Sequence, residues 1–190
     1  MIEEYEITPA LREEARQVAI ERLKLWGKWD REDYFEAYSP LERNWQGCIA
    51  EIYVRRIYPQ LRLGQPLVVE GPNITECDYF YKDQGIELKC NRFTRMWNYF
   101  LKNVRETEFK GDTAEILICT AINGPPARAW IFWIFGWMRM EDVEKCEIWR
   151  PGERSRIKSA GYAIPLEDLK PINDLITSSD WRLGDFMPRT

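Results

Sequence analysis

The stretch Asp78-Tyr79-Phe80-Tyr81-Lys82-Asp83-Gln84-Gly85-Ile86-Glu87-Leu88-Lys89 decides how the chain is read. Tyr79, Phe80 and Tyr81 favour a strand, Lys82 to Gly85 carries turn chemistry, and Ile86 to Lys89 alternates apolar with charged. The expectation is two short strands joined by a turn. Side chains alternate across a strand, so Glu87 and Lys89 share one face. A two-residue loop at Lys82-Asp83 sets Asp78 opposite Glu87, whereas a loop of all four turn residues sets it opposite Lys89. Either register gathers two carboxylates and an ammonium, with opposed Cβ atoms within about 5 Å. Carboxylates that close repel each other, and a divalent cation would remove the conflict.

Working outward, Ser39-Pro40-Leu41-Glu42 before the hairpin has the residues of a helix start, with a capping serine, proline at the first helical position and a nearby acid. Leu41, Trp45, Ile49 and Ile52 mark the buried stripe of a helix that runs to about Tyr58, before Pro59. Glu51 lies beside that stripe, with Gly47 one turn before it and Arg55 one turn after. Gly in a helix interior costs about 1 kcal/mol relative to Ala. Either Gly47 clears room for a backbone or a ligand to approach Glu51, or it permits close helix–sheet packing while Glu51 pairs with Arg55. Further upstream, Thr8-Pro9 opens an amphipathic helix to about Trp26. Leu11, Ala15, Val18, Ala19 and Leu23 lie on its apolar side, and Arg12, Glu13, Glu14, Arg16, Glu21 and Arg22 on the other. Residues Gly27 to Tyr38 read as a connection, and Leu67 to Glu70 as a short strand ended by Gly71-Pro72-Asn73.

After the hairpin, Phe93, Met96, Trp97, Phe100, Leu101 and Val104 recur at helical spacing, with Arg92, Arg95, Lys102 and Arg105 on the remaining surface. Ala114 to Ala121 is a near-continuous apolar run, as expected of a central strand covered on both faces. Trp130 to Met138 and Cys146 to Trp149 read as further strands, Arg150 to Lys158 as a basic loop, and Pro165 to Ile176 as a final helix. The order is helix, three strands, helix, strand, then extra strands, which is a mixed α/β arrangement.

Bulk properties narrow the chemistry. A chain of 190 residues, 45% of them hydrophobic, supports one compact domain with a proper core. The chain reads as a single domain over 1–190, with an accessory helix and connection at 1–38, a core at 39–121, and additional strands and a terminal helix at 122–190. The formal net charge of −4 argues against a generally basic coat protein, although the 27 Lys and Arg still permit a local basic groove. Histidine is absent, so His-based general bases, triads and His-ligated zinc are excluded. Five scattered cysteines without a Cys-x-x-Cys pair point to a reduced, cytoplasmic protein. The acidic N-terminus lacks a signal-peptide layout, and the longest apolar run, nine residues from Trp130, is short of the ~20 needed to span a bilayer as a helix. A soluble protein without a membrane partner is expected.

Asp78, nine residues, then Glu87-Leu88-Lys89 resembles the signature of the PD-(D/E)XK nuclease superfamily, also called restriction-endonuclease-like. Gln46-Gly47-Cys48-Ile49-Ala50-Glu51 is similar to the glycine-to-glutamate helix segment of many members, and the family core has the element order found above across roughly Ser39 to Ala121. Cys77 stands where the family often has proline. The resemblance implies an α/β restriction-endonuclease-like core and hydrolysis of DNA phosphodiester bonds, most simply by an endonuclease. It implies Asp78 and Glu87 as ligands of Mg²⁺ or Mn²⁺, Glu51 as an auxiliary metal or water ligand, and Lys89 as the catalytic lysine. Phosphate contacts are expected from Arg92 and Arg95 and from Arg154, Arg156 and Lys158, each cluster having a solvated face as its plainer reading. Trp130, Trp133 and Trp137 offer stacking surfaces for bases, but a buried core strand is the preferred assignment and a homodimer interface the next. Exonucleolytic action, RNA as substrate, and a non-catalytic DNA-binding or assembly protein retaining the fold all stay open at this point.

Overall fold

A computed structural model of the chain describes residues 2–26, 40–64, 77–92, 98–103, 114–123, 130–152 and 160–176. The chain begins with strand β1 (Glu3–Glu6), followed by helices α1 (Pro9–Trp26) and α2 (Pro40–Ile57). Strands β2 (Arg62–Leu63), β3 (Tyr79–Tyr81), β4 (Gln84–Arg92), β5 (Tyr99–Asn103), β6 (Ala114–Ile122) and β7 (Ile131–Arg139) come next. A single-turn helix α3 (Met140–Val143), strands β8 (Glu147–Trp149) and β9 (Gly161–Pro165), and a last short helix α4 (Ile172–Leu175) complete the order.

Among the described residues, six strands form one sheet in the order β1-β7-β6-β4-β3-β2, in which β4 and β6 run parallel and the other neighbours antiparallel. The remaining three form a second sheet, β5-β9-β8. The apolar run predicted at Ala114 supplies the centre. Ile116, Ile118 and Ile122 pack with α1 and α2 residues such as Leu11, Ala15, Ile49 and Ile52, whereas Leu117, Cys119 and Ala121 pack with Phe100, Tyr162 and Ile164 of the second sheet. The architecture is therefore a layer of helices, a six-stranded sheet and a smaller sheet. Each large apolar side chain that is fully buried in these layers contributes about 1.5–3 kcal/mol.

Strand β7 changes faces midway. Phe132 and Ile134 belong to the helix-side core, Phe135 and Met138 to the other, and Trp137 again to the helix side. The register against β6 slips between Cys119 and Thr120, so Phe135 is an extra residue and the parity of the strand inverts there. Gly136 makes the bulge feasible. Its φ is +141°, and a Cβ there would lie 2.3 Å from the carbonyl oxygen of Lys170. Trp130 and Trp137 are buried, in keeping with the core assignment, whereas Trp133 is only half-buried and its indole N–H donates to the Glu4 carboxylate.

Two expectations are corrected. The helix predicted from Phe93 is a strand over Tyr99–Asn103, where Phe100 and Lys102 are buried and every residue from Tyr99 to Asn103 pairs with β9. Non-local pairing outweighs the local helical periodicity. The final helix predicted over Pro165–Ile176 is instead the end of β9, one 3₁₀ turn at Leu166–Asp168, and α4 after Pro171. Pro171 has no N–H and cannot sit inside a continuous helix. Consequently the described residues between β4 and β6 hold a strand of the second sheet, and the helix of the expected helix–three strands–helix–strand core is not among them. The connection at 27–38 and the strand at 67–70 fall outside the described residues, as do Ser39, Arg95, Arg154, Arg156 and Lys158.

Candidate active site

The hairpin turns through two residues. Lys82 (φ 48°) and Asp83 (φ 64°) both occupy the left-handed region, as a type I′ turn requires, and Tyr81 pairs with Gln84. Tyr79 therefore faces Ile86, and the chain continues to Asp78 alongside Glu87, the first of the two registers considered. The Asp78 carboxylate accepts a 2.7 Å hydrogen bond from the Leu88 backbone N–H, which ties it to β4. Its own carbonyl accepts one from Gly64, where a Cβ would lie 2.0 Å from the carbonyl oxygen of Cys77. Glycine at 64 lets the end of β2 close on this segment.

Alternation along β4 sorts its side chains. Ile86 and Leu88 join the helix-side core, and Glu87 and Lys89 pair in register with Leu117 and Cys119, which face the second sheet. Lys89 Nζ lies 2.5 Å from Glu87 Oε1, and Lys102 Nζ, from β5, lies 3.1 Å from Glu87 Oε2. Each oxygen of Glu87 thus faces a different ammonium. Burial pushes the Glu87 carboxyl up, but the ammoniums of Lys89 and then Lys102 outweigh it and hold the group below its usual range.

Glu51 reaches the same region from α2. The Tyr79 hydroxyl donates to the Glu51 carbonyl, tying β3 to α2. The Glu51 carboxylate is held by Arg22 of α1 through both oxygens, Nη1 donating to Oε1 at 3.0 Å and Nη2 to Oε2. Its ion-pair partner is thus Arg22, not Arg55. Among the described residues a Cβ at Gly47 would meet only Glu51 Oε1, at 4.0 Å, so neither close packing nor a crowding backbone requires glycine there. The Asp78 carboxyl is pushed up to about 7, first by burial and then by the Glu51 charge, against the Leu88 N–H and the Lys89 ammonium, with a smaller push from Glu87. Asp78 therefore feels the charges of Glu51, Lys89 and Glu87.

Two participants were not foreseen. Arg22 and Lys102 are both buried, at 8% and 3% exposure, although the sequence placed each on a solvent-facing helix side. The signal for Arg22 was present, since Leu11, Ala15, Ala19 and position 22 fall on one helical stripe. For Lys102 the signal was the strand reading of Tyr99–Asn103, which puts it on the same face as Phe100. Arg92 is half-buried at the end of β4 and borders a hollow with Tyr99 and Leu166.

Thiol chemistry is disfavoured around this cluster, because burial pushes both Cys48 and Cys90 up to about 12. Among the described residues, no three acidic, thiol or imidazole groups converge closely enough to share a metal ion. The hairpin carries two carboxylates, Asp78 and Glu87, whose oxygens are the donor type a hard cation takes. Asp78 is a carboxyl whose charge is opposed by burial and by a neighbouring acid. A separate cavity of about 510 Å³, bordered by Tyr99, Arg139, Asp142, Lys145 and Lys170, contains none of these residues. No described helix is long and apolar enough to cross a membrane. Comparison with protein-family models, with curated proteins and with solved structures gives no match.

Proposed function

We propose that the protein is a metal-dependent nuclease of the restriction-endonuclease-like class that hydrolyses DNA phosphodiester bonds, acting as an endonuclease. The observation that carries this reading is the juxtaposition of Asp78 with Glu87 and Lys89 across a two-residue turn, with Glu51 near enough to alter the proton affinity of Asp78. Asp78 and Glu87 would hold Mg²⁺ or Mn²⁺, with water completing the coordination. When bound, the cation supplies Lewis-acid polarisation of a phosphate oxygen and a more acidic water.

The chain's own groups do the rest. Asp78 is anchored through Leu88 N–H and Glu87 through its lysines, so the two carboxylates are fixed from opposite strands of one hairpin. Lys89, the more exposed of the two lysines on Glu87, orients the attacking water and faces the charge that builds on phosphorus. Glu51 adds negative potential while Arg22 occupies both its oxygens. Arg92, at the end of the same strand, is proposed for a phosphate contact, and Arg95, Arg154, Arg156 and Lys158 are the further basic residues proposed for the DNA backbone.

The test is incubation of supercoiled and linear DNA with Mg²⁺ or Mn²⁺, using wild type, Asp78→Ala and Lys89→Ala. Linearisation of plasmid by wild type alone is expected. An inert wild type, or variants that cleave equally well, would overturn the assignment, and loss of linear DNA from its ends alone would indicate an exonuclease.

One observation favours a second reading, a non-catalytic DNA-binding or assembly protein with the same fold. Among the described residues, the acids Asp78, Glu51 and Glu87 are matched in number by the bases Arg22, Lys89 and Lys102, and both Glu51 and Glu87 already carry cationic partners. DNA binding without cleavage or Mn²⁺ uptake would establish it.

A further inference from the structure

Glu87 carries a different lysine on each oxygen, and the two differ in freedom. The Lys89 side chain is 38% exposed and shares a strand with Glu87. The Lys102 side chain is 2% exposed and comes from the second sheet. It is fixed there by β5–β9 pairing, in which Lys102 faces Tyr162, and by the Asn91 side-chain amide donating to the Leu101 carbonyl at 2.9 Å. Lys89 has solvent to move into. The Lys102 ammonium, buried between the two sheets, has no such solvent beside it.

We propose that Lys102 is the positioning residue of this site: it pins Glu87 through Oε2, so that Oε1, released by Lys89, is the oxygen offered to a divalent cation. The inference rests on the nuclease reading and adds a division of labour to it. Lys102 stays on the carboxylate and sets its orientation, and Lys89 leaves it for the water and phosphate. Positioning of this kind acts on turnover more than on substrate affinity, because Lys102 is too deeply buried to touch DNA.

The experiment uses the full chain. Free Mn²⁺ is followed by electron paramagnetic resonance during titration, and acetylation of each lysine is followed by mass spectrometry with and without Mn²⁺. Lys89 labelling should rise at least threefold on adding Mn²⁺, with Lys102 remaining at least tenfold slower throughout. In parallel, Lys102→Met should lower kcat at least tenfold with KM for DNA within twofold and Mn²⁺ affinity no more than twofold weaker, and Lys102→Arg should recover a third or more of kcat. If Lys102→Met does not fold, the wild-type labelling decides alone. Mn²⁺ binding that unmasks Lys102 or leaves Lys89 unchanged overturns the inference while the nuclease reading survives. So does a folded Lys102→Met with near-wild-type kcat, or one whose loss Lys102→Arg does not restore. A wild type that neither binds Mn²⁺ nor cleaves DNA removes both.

Discussion

The two faces of the central sheet treat a half-buried carboxylate in opposite ways. On the helix side, Arg22 occupies both oxygens of Glu51 with a planar fork from a single residue. On the other side, Glu87 is divided between a partly exposed ammonium, Lys89, and a buried one, Lys102. The first arrangement is closed and structural in character. The second leaves one carboxylate oxygen against an ammonium that borders solvent. A site that must take up a cation needs the second kind of pairing, and the closed pair beside it supplies a steady electrostatic background.

That contrast can be broken by measurement, beginning with activity. Lys89→Ala should lower DNA cleavage by about 10²–10⁴-fold, the range for loss of a group acting directly on the reacting atoms, whereas Arg22→Met should retain more activity in whatever fraction stays folded. Single-turnover cleavage at saturating Mg²⁺ reads both. Stability should reverse the ranking. Arg22→Met strands Glu51 and should cost about 2–3 kcal/mol, below the usual figure for a fully buried pair because the Glu51 side chain is 19% exposed. Lys102→Met leaves Lys89 on Glu87 and should cost less, about 1–2 kcal/mol. Urea denaturation at pH 7 compares them, and equal costs would contradict the distinction between the pairs.

The hairpin carboxyls should also show opposite pH signatures. Asp78 is raised to about 7 when folded, so as pH climbs from about 4 the folded chain keeps a proton that the unfolded chain has lost. Stability due to Asp78 therefore falls as pH rises through that window, and Asp78→Asn should flatten the slope. Glu87 is depressed when folded, so its contribution is present above its unfolded value of about 4.3 and is lost as pH falls below it. Glu87→Gln should remove that acid-side loss. Urea midpoints between pH 3 and 8 separate the two. The smallest effect is expected at Gly47. An added methyl group there would meet only Glu51 Oε1 among the described residues, at 4.0 Å, which is ordinary contact. Gly47→Ala should therefore stabilise the chain by about 1 kcal/mol through helix propensity alone, read from the same urea midpoints.

Much of this arrangement was legible in the chain. Proline starts at Pro9 and Pro40, the alternation of Ile86 to Lys89, and the apolar run from Ala114 correctly located both long helices and the strands around the hairpin. Asp78, Glu87 and Lys89 followed from strand geometry, and the turn left only two registers to choose between. What was hidden depended on distant partners. Phe93 to Val104 has a helical period, and only pairing with Gly161–Pro165 makes Tyr99–Asn103 a strand that buries Lys102. Arg22 looked like a surface cation because charge was weighed above its position on the Leu11 stripe. Local pattern shows which face a residue occupies, but not which partner will cover that face.

The pairing of β5 with β9 also sets an order of events during folding. The hairpin of β3 and β4 is local and can form early, bringing Asp78, Glu87 and Lys89 together from a short loop. Lys102 can take its place against Glu87 only after β9 has arrived beside β5 from far along the chain. During synthesis the carboxylates precede the residue that steadies one of them, and the cluster is completed by the last of the described strands.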